Sequence, residues 1–265
     1  MSRRTTARLL AAALLALPPA APAAAQETLE VDVEIVLAVD ASRSMDLTEF
    51  GVQRDGYLAA LRHPELVRTI TSGPLGRIAV AYFEWSGAAQ DGGLVPWRVI
   101  DGPAAAAALA DEIAALPVNR TRGTSISRAI GFATVLIEDD ALEGTRRIID
   151  VSGDGANNVG PPVVPARDAA VARGITINGL PIVISEFGAQ AGLERYYENC
   201  VIGGEGAFVV VARSSDDLAR SIRRKLILEI SGLPPPPAIV PAPFEPVDCL
   251  IGEKLWRRRG WDQFR

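Results

Sequence analysis

The chain has 265 residues, with 27 basic against 32 acidic side chains and a formal net charge of −5. Hydrophobic residues are 48% and charged residues 22%, a globular composition that excludes a disordered or fibrous chain. The acidic balance argues against nucleic acid as the main partner, and one histidine with two cysteines cannot build a four-ligand structural zinc site.

Arg3, Arg4 and Arg8 precede an apolar run from Leu9 to Leu17, and Ala23-Ala24-Ala25 offers an A-x-A cleavage site before Gln26. This is the layout of a secretory signal peptide over residues 1–25; the run is far shorter than the roughly 20 residues of a membrane span. The mature protein is expected to be exported, periplasmic or secreted, and soluble, with no transmembrane segment. In such an oxidising compartment Cys200 and Cys249 are candidates for a disulfide, within one chain or between two.

Val31, Val33 and Ile35 alternate with Asp32 and Glu34, then Val36 to Val39 is continuously apolar, which predicts a strand entering a sheet buried on both faces. Helical spacing follows from Leu47 to about Ile70, carried by Phe50, Tyr57, Leu58 and Leu61. Ile78 to Phe83 reads as a second strand. Val95 to Ile100 reads as a third, at an edge because Pro96 cannot donate to a ladder, and the two are expected to form a hairpin. Helices are predicted from Ala104 to Leu116 and from Ser125 to Ile137, the latter with Ile126, Ile130 and Val135 inward.

Ile148 to Val151 is a strand ending at Ser152-Gly153-Asp154-Gly155, Val164 to Arg173 a helix stopped by Gly174, and Ile175 to Ile184 a strand. Ala189 to Val201 reads as a helix, Ala207 to Ala212 as a strand, and Leu218, Ile222, Leu226 and Ile230 form the stripe of a last helix. The β-α alternation predicts an α/β three-layer sandwich, a mostly parallel sheet between helices, over residues 26–232. Residues 233–246 are a proline-rich linker and residues 247–265 a C-terminal tail with Trp256, Arg257 to Arg259 and Trp261. That tail either touches an anionic membrane face or a partner, or packs on the domain; its shortness favours packing.

Chemistry concentrates at Asp40-Ala41-Ser42-Arg43-Ser44, placed where the buried first strand ends. Ligands of open α/β sheets bind at the carboxyl ends of strands, near the topological switch point. A carboxylate and two hydroxyls spaced by two are hard oxygen donors suited to Mg²⁺ or Mn²⁺. Taken alone, such a loop also suits helix capping. Arg122-Gly123-Thr124-Ser125 adds the Thr124 hydroxyl at a helix start, and Ser152-Gly153-Asp154-Gly155 adds Asp154 at another strand end.

With these three pieces, over roughly Val31 to Ser231, the chain resembles the von Willebrand factor A family. Its metal-ion-dependent adhesion site has a D-x-S-x-S loop, a distant Thr and an Asp in a D-G turn. The phrases Phe83-Glu84-Trp85-Ser86-Gly87 and Asn199 to Phe208 resemble exported bacterial proteins of this fold with no assigned activity. The resemblance implies that Ser42 and Ser44 bind the cation directly, Thr124 directly or through water, and Asp40 and Asp154 mostly through water. A partner's Glu or Asp would fill an open position. It also implies a last helix able to slide along the sheet, coupled to the metal loop.

Asp150 lies mid-strand, where that family usually has an apolar residue; a buried carboxylate there is expected either to pair with Arg146 or Arg147, the favoured reading, or to face a polar pocket near the site. The alternative class is a metal-dependent hydrolase using the same ion. The chain lacks a phosphate loop and a G-x-S-x-G elbow, and a haloacid-dehalogenase-type phosphatase would need an Asp where Ser42 stands. The single His63 sits in Arg62-His63-Pro64, which reads as a solvated helix end.

Overall fold

A computed structural model describes residues 28–45, 47–87, 89–184, 190–234 and 247–262. The expected signal-peptide segment 1–25 and all but the first two residues of the expected linker lie outside these, as do the first residue of the expected 189–201 helix and Phe264.

Five strands make one sheet: β1 (Leu29–Asp40), β2 (Ile78–Trp85), β3 (Ala89–Ile100), β4 (Leu142–Gly153) and β5 (Thr176–Pro181), in the order β3-β2-β1-β4-β5. β1 is parallel to β2 and β4, β4 is parallel to β5, and β3 returns antiparallel on β2 as an edge hairpin that tolerates Pro96. Every residue of β1 from Val31 to Asp40 is buried: the apolar run Val36–Val39 predicts this for a strand covered on both faces, whereas Asp32 and Glu34 are buried with the Leu75 and Gly144 N–H groups as donors.

One face carries α1 (Leu47–Leu61), α2 (Pro64–Thr71), α3 (Pro103–Ala114) and α7 (Ser215–Ser231) over Val33, Ile35, Leu37 and Val39. The other carries α4 (Ile126–Glu138), α5 (Val163–Val171) and α6 (Leu193–Tyr196) over Val36, Ala38, Ile149 and Val151. The stripe Leu218, Ile222, Leu226 and Ile230 of α7 is buried on the first face. A π-helical turn, Tyr197–Val201, follows α6, and the tail forms a further helix, α8 (Ile251–Asp262), where the sequence offers no strong period. Among the described residues no helix is long and apolar enough to cross a membrane.

Several expectations change: the strand expected to run to Ile184 stops at Pro181, and the helix expected up to Val201 reduces to Leu193–Tyr196 before the π-helical turn. The single helical stretch from Leu47 to Ile70 is two helices. Pro64 disfavours the helical region for His63, which turns extended (φ −75°, ψ 130°), and its Nδ1 accepts from the Glu65 N–H at 3.2 Å to cap α2. Val135 is 51% exposed, because it lies nine residues from Ile126 and hence half a turn away from the Ile126–Ile130–Ala133–Ile137 stripe.

The strand expected from Ala207 to Ala212 reduces to isolated bridges, Gly179 with Val209 and Ile182 with Ala212. Phe208, Val210 and Ala212 do bond to β5 and its continuation, but Pro181 has no N–H for the step between them, and the ladder breaks there. Lastly, Asp150 pairs with neither Arg146 nor Arg147. Its Oδ1 lies 2.7 Å from Nζ of Lys225, which is fully buried on α7 and donates to Glu229 Oε1 at 2.5 Å. The two arginines are occupied elsewhere: Arg146 donates to the Glu229 and Ile230 carbonyls at the end of α7, and Arg147 to the Arg173 carbonyl after α5.

Candidate metal centre

The connection after β1 leads to α1 on one face, and the connection after β4 leads to α5 on the other. Since β1 and β4 are neighbours, their carboxyl ends open a crevice between the diverging loops, the switch point of the sheet. Asp40 ends β1, and Asp154 follows Gly153 at the end of β4.

The D-x-S-x-S loop folds back on its own strand. Asp40 Oδ1 accepts the Ser42 backbone N–H at 2.7 Å, and Gln53 of α1 donates from Nε2 to the Asp40 carbonyl at 2.8 Å. Ser42 Oγ lies 2.6 Å from Ser44 Oγ, which donates to Asp154 Oδ1 at 2.7 Å. A continuous chain of hydroxyls thus joins the two loops. Thr124 stands beside the same turn: a Cβ added to Gly155 would sit 3.7 Å from its Oγ1. Thr124 is held by reciprocal bonds to Asn158, whose Oδ1 accepts the Thr124 N–H at 2.8 Å and whose N–H donates to the Thr124 carbonyl at 2.8 Å. The structure therefore brings Asp40, Ser42, Ser44, Thr124 and Asp154 to one crevice.

The site carries a charge problem. Asp40 is fully buried, and its Oδ2 has no hydrogen-bond partner among the described residues. Burial, then the neighbouring Asp154 carboxylate, pushes the Asp40 carboxyl up to about 8. Burial also raises Asp154, and the Ser44 hydrogen bond, its own backbone N–H and then the Arg120 guanidinium only partly offset it. Two buried carboxylates with an orphaned oxygen and three hydroxyls fit a hard divalent cation, which would restore both charges and supply the missing partner.

Residues outside the motif shape the crevice. A Cβ on Gly153 would stand 2.8 Å from Asp40 Oδ2 and 3.0 Å from Tyr197 Oη, so only glycine lets both approach the strand end. Tyr197, in the π-helical turn, is fully buried with an unpartnered hydroxyl, and burial followed by the Asp40 and Asp154 carboxylates raises it well above the usual phenol range. Asn157 accepts the Ser127 N–H at 3.1 Å and donates to Glu253 Oε1 of α8 at 2.7 Å. Nothing in the sequence pattern marked Tyr197, Asn157 or Asn158, because their roles depend on contacts between segments far apart in the chain.

The structure joins Cys200 to Cys249 with a Cα–Cα distance of 5.5 Å. Val247, Cys249 and Ile251 pack on the second face of the domain, so the Asn157–Glu253 bond and the disulfide hold α8 against the loop that follows Asp154. Trp256 remains 41% exposed. His63, Lys225 and Lys254 all lie in other settings: a helix cap, a buried ion cluster, and a surface pair with Asp248.

The family model described as "Protein of unknown function (DUF1194)" matches residues 30–234, and the chain belongs to that family. No curated protein matches the chain. Among solved structures it is similar to the pilus adhesin SpaC from Lactobacillus rhamnosus GG, with a TM-score of 0.55 and 13% identity over 76% of this chain and 31% of that one. It is also similar to proximal thread matrix protein 1 from the mussel byssus, with a TM-score of 0.52 and 16% identity over 77% of this chain and 49% of that one. That matrix protein has also been solved with a zinc-occupied MIDAS motif. At such identities the likeness is one of fold, and the fold is von Willebrand factor A-like. The chain spans about a third to a half of the length of these solved chains.

Proposed function

We propose that this member of the DUF1194 family is an exported, periplasmic or secreted, divalent-cation-dependent protein-binding module, of adhesion or scaffolding type. The observation that carries the reading is the buried Asp40 Oδ2, unpartnered beside the Ser42–Ser44–Asp154 chain of hydrogen bonds at the switch point. Ser42, Ser44 and Thr124 would hold Mg²⁺ or Mn²⁺, with Asp40 and Asp154 balancing its charge. The cation, when bound, supplies an electrophilic position for a partner's Glu or Asp carboxylate.

This chain's own residues prepare that position. The Ser42 N–H fixes the Asp40 carboxylate and Gln53 the Asp40 backbone carbonyl, Asn158 fixes Thr124, and Gly153 lets Asp40 and Tyr197 crowd the strand end. Neutral hydroxyls among the donors leave the cation less neutralised than an all-carboxylate cage would. Binding rather than turnover is favoured because the one imidazole, both lysines and both cysteine sulfurs stand in the other settings described above, and the carboxyls and motif hydroxyls of the crevice are taken up in holding the cation. The zinc-occupied motif of the byssus protein supports a divalent cation on this fold.

Calorimetric titration of the chelator-stripped protein with Mg²⁺, Mn²⁺ and Zn²⁺ tests the site. One cation should bind per chain, and Asp40→Ala should abolish binding in a folded protein; unaltered binding by that variant refutes the assignment. A cross-linked pull-down in Mg²⁺ against EDTA then tests the partner.

A further inference from the structure

Four arginines, Arg43, Arg120, Arg122 and Arg128, lie on the segments beside the crevice, and none forms an ion pair with a carboxylate among the described residues, although Arg120 is close enough to favour the Asp154 charge. Arg43 lies between the two motif serines and is exposed; its Nε donates to the Arg120 carbonyl at 3.2 Å. Arg120, half-buried, donates from Nη2 to the Ser42 carbonyl at 3.0 Å and to the Met45 carbonyl. Arg122, exposed, is two residues from Thr124. Arg128, exposed in the first turn of α4, donates to the Gly87 carbonyl at 2.6 Å. Where these side chains are bonded, the acceptors are neutral carbonyls, so the loops are tied together while the positive charge stays free.

Elsewhere on the surface Arg77 and Arg257 likewise bond only backbone carbonyls, whereas others are paired, so what marks the crevice is four unpaired arginines on neighbouring segments. Arg62, Arg98, Arg173 and Arg213 each meet a carboxylate: Asp111, Glu112, Glu138 and Glu194. Among the described residues none of the four rim arginines has such a pair. The chain as a whole carries a net charge of −5, so this positive ring stands out against an acidic body.

Positive charge beside a cation site opposes cation binding, since like charges in a partly buried setting repel. A rim of this kind weakens the metal for the sake of something else bound there. The ligand favoured by both a cation with an open position and a ring of guanidinium groups is an anion with several charges. Guanidinium forks suit carboxylates.

We propose that the partner docks through an acidic segment, several Glu or Asp residues within a few positions. One carboxylate would enter the crevice of Asp40, Ser42, Ser44, Thr124 and Asp154. Flanking carboxylates meet Arg43, Arg122 and Arg128 on the rim, with Arg120 holding the loop geometry. This rests on the cation-dependent reading above and narrows its partner from a single acidic residue to a multiply charged segment. Long-range attraction of this kind raises the association rate and is screened by salt.

The test uses fluorescein-labelled hexaglutamate and a labelled peptide with one Glu among glycines, titrated by anisotropy in Mg²⁺ and in EDTA. In about 50 mM NaCl hexaglutamate should bind at least about tenfold tighter than the single-Glu peptide, and about 300 mM NaCl should remove most of that advantage. The triple variant Arg43→Gln, Arg122→Gln, Arg128→Gln should lose about tenfold for hexaglutamate with its Mn²⁺ affinity unchanged or raised, and the matching triple Lys variant should recover most of the loss. Equal affinity of the two peptides, or no salt dependence in the wild type, overturns the proposal whether or not the variants fold. Tighter binding of single-stranded oligothymidine than of hexaglutamate overturns it in favour of a phosphate polyanion. Hexaglutamate binding that is equally strong in EDTA, but salt-sensitive and lost in the triple Gln variant, sustains the arginine rim and refutes the cation-dependent reading instead.

Discussion

Lys225→Met probes the least expected feature of the core. Lys225 is fully buried on α7, 2.7 Å from Asp150 Oδ1 and 2.5 Å from Glu229 Oε1, and Asn178 Nδ2 donates to the same Glu229 oxygen at 2.9 Å. Methionine keeps the length of the stem, so packing of α7 on α1 and the sheet is nearly retained and the lost quantity is the cation. Removing one partner of a buried pair costs roughly 3–5 kcal/mol, because it strands the opposite charge. Here two carboxyls are stranded.

Protons can relieve part of that cost, which gives the prediction a second, independent edge. Burial, then the Asp150 charge, already pushes Glu229 up to about 8 in the wild type, with Lys225 opposing the rise. A carboxyl whose folded pKa lies above its unfolded value contributes stability that is full below about 4.5 and lost as pH rises through about 8. Without Lys225 the Glu229 carboxyl rises further. The variant can protonate it cheaply near pH 5.5 and cannot near pH 8.5. Urea unfolding of both proteins at those two pH values should therefore give a destabilisation larger at the higher pH by more than about 1 kcal/mol. The double variant Lys225→Met, Asp150→Asn should regain most of the loss. A destabilisation below about 1 kcal/mol at both pH values, or one independent of pH, would refute the ionic cluster as a load on the core.

Further outcomes follow from the same contacts. Gly153→Ala puts a methyl group 2.8 Å from Asp40 Oδ2 and 3.0 Å from Tyr197 Oη, so it should cost about 1–3 kcal/mol in thermal unfolding and weaken cation binding by calorimetry. Replacing Cys200 and Cys249 by Ser opens a loop of sequence separation 49 and should cost about 4 kcal/mol in the chain-entropy model, read by urea unfolding without reductant. Glu253→Ala removes the α8 acceptor of Asn157 and should lower cation affinity severalfold while the disulfide stays intact, measured by Mn²⁺ titration and thiol counting. A cross-link pinning α7 to the sheet should change affinity for an acidic peptide by about fivefold or more if that helix shifts on binding; equal affinity marks a static site.

The sequence by itself determined the elements that rest on local chemistry. The apolar run of β1, the stripe of α7 and the proline-marked edge of β3 are consequences of burial period and donor count, readable without a fold. The donor cluster Asp40, Ser42 and Ser44 was legible because it is local, but by itself it also suited helix capping; the resemblance to the von Willebrand factor A family, carried by Thr124 and Asp154 as well, is what pointed to a metal. What tertiary structure alone decided are pairings between segments distant in the chain. Lys225 rather than an arginine next in sequence became the partner of Asp150, because α7 crosses that strand and β4 turns Arg147 to the other face. The ladder past β5 broke because Pro181, whose missing N–H the sequence does show, fell at a step where only the tertiary pairing with Val210 and Ala212 required a donor. Tyr197, Asn157 and Asn158 entered the site only when the sheet order set β4 beside β1. A chain pattern encodes which face a residue presents, but the group that meets it there is chosen by packing.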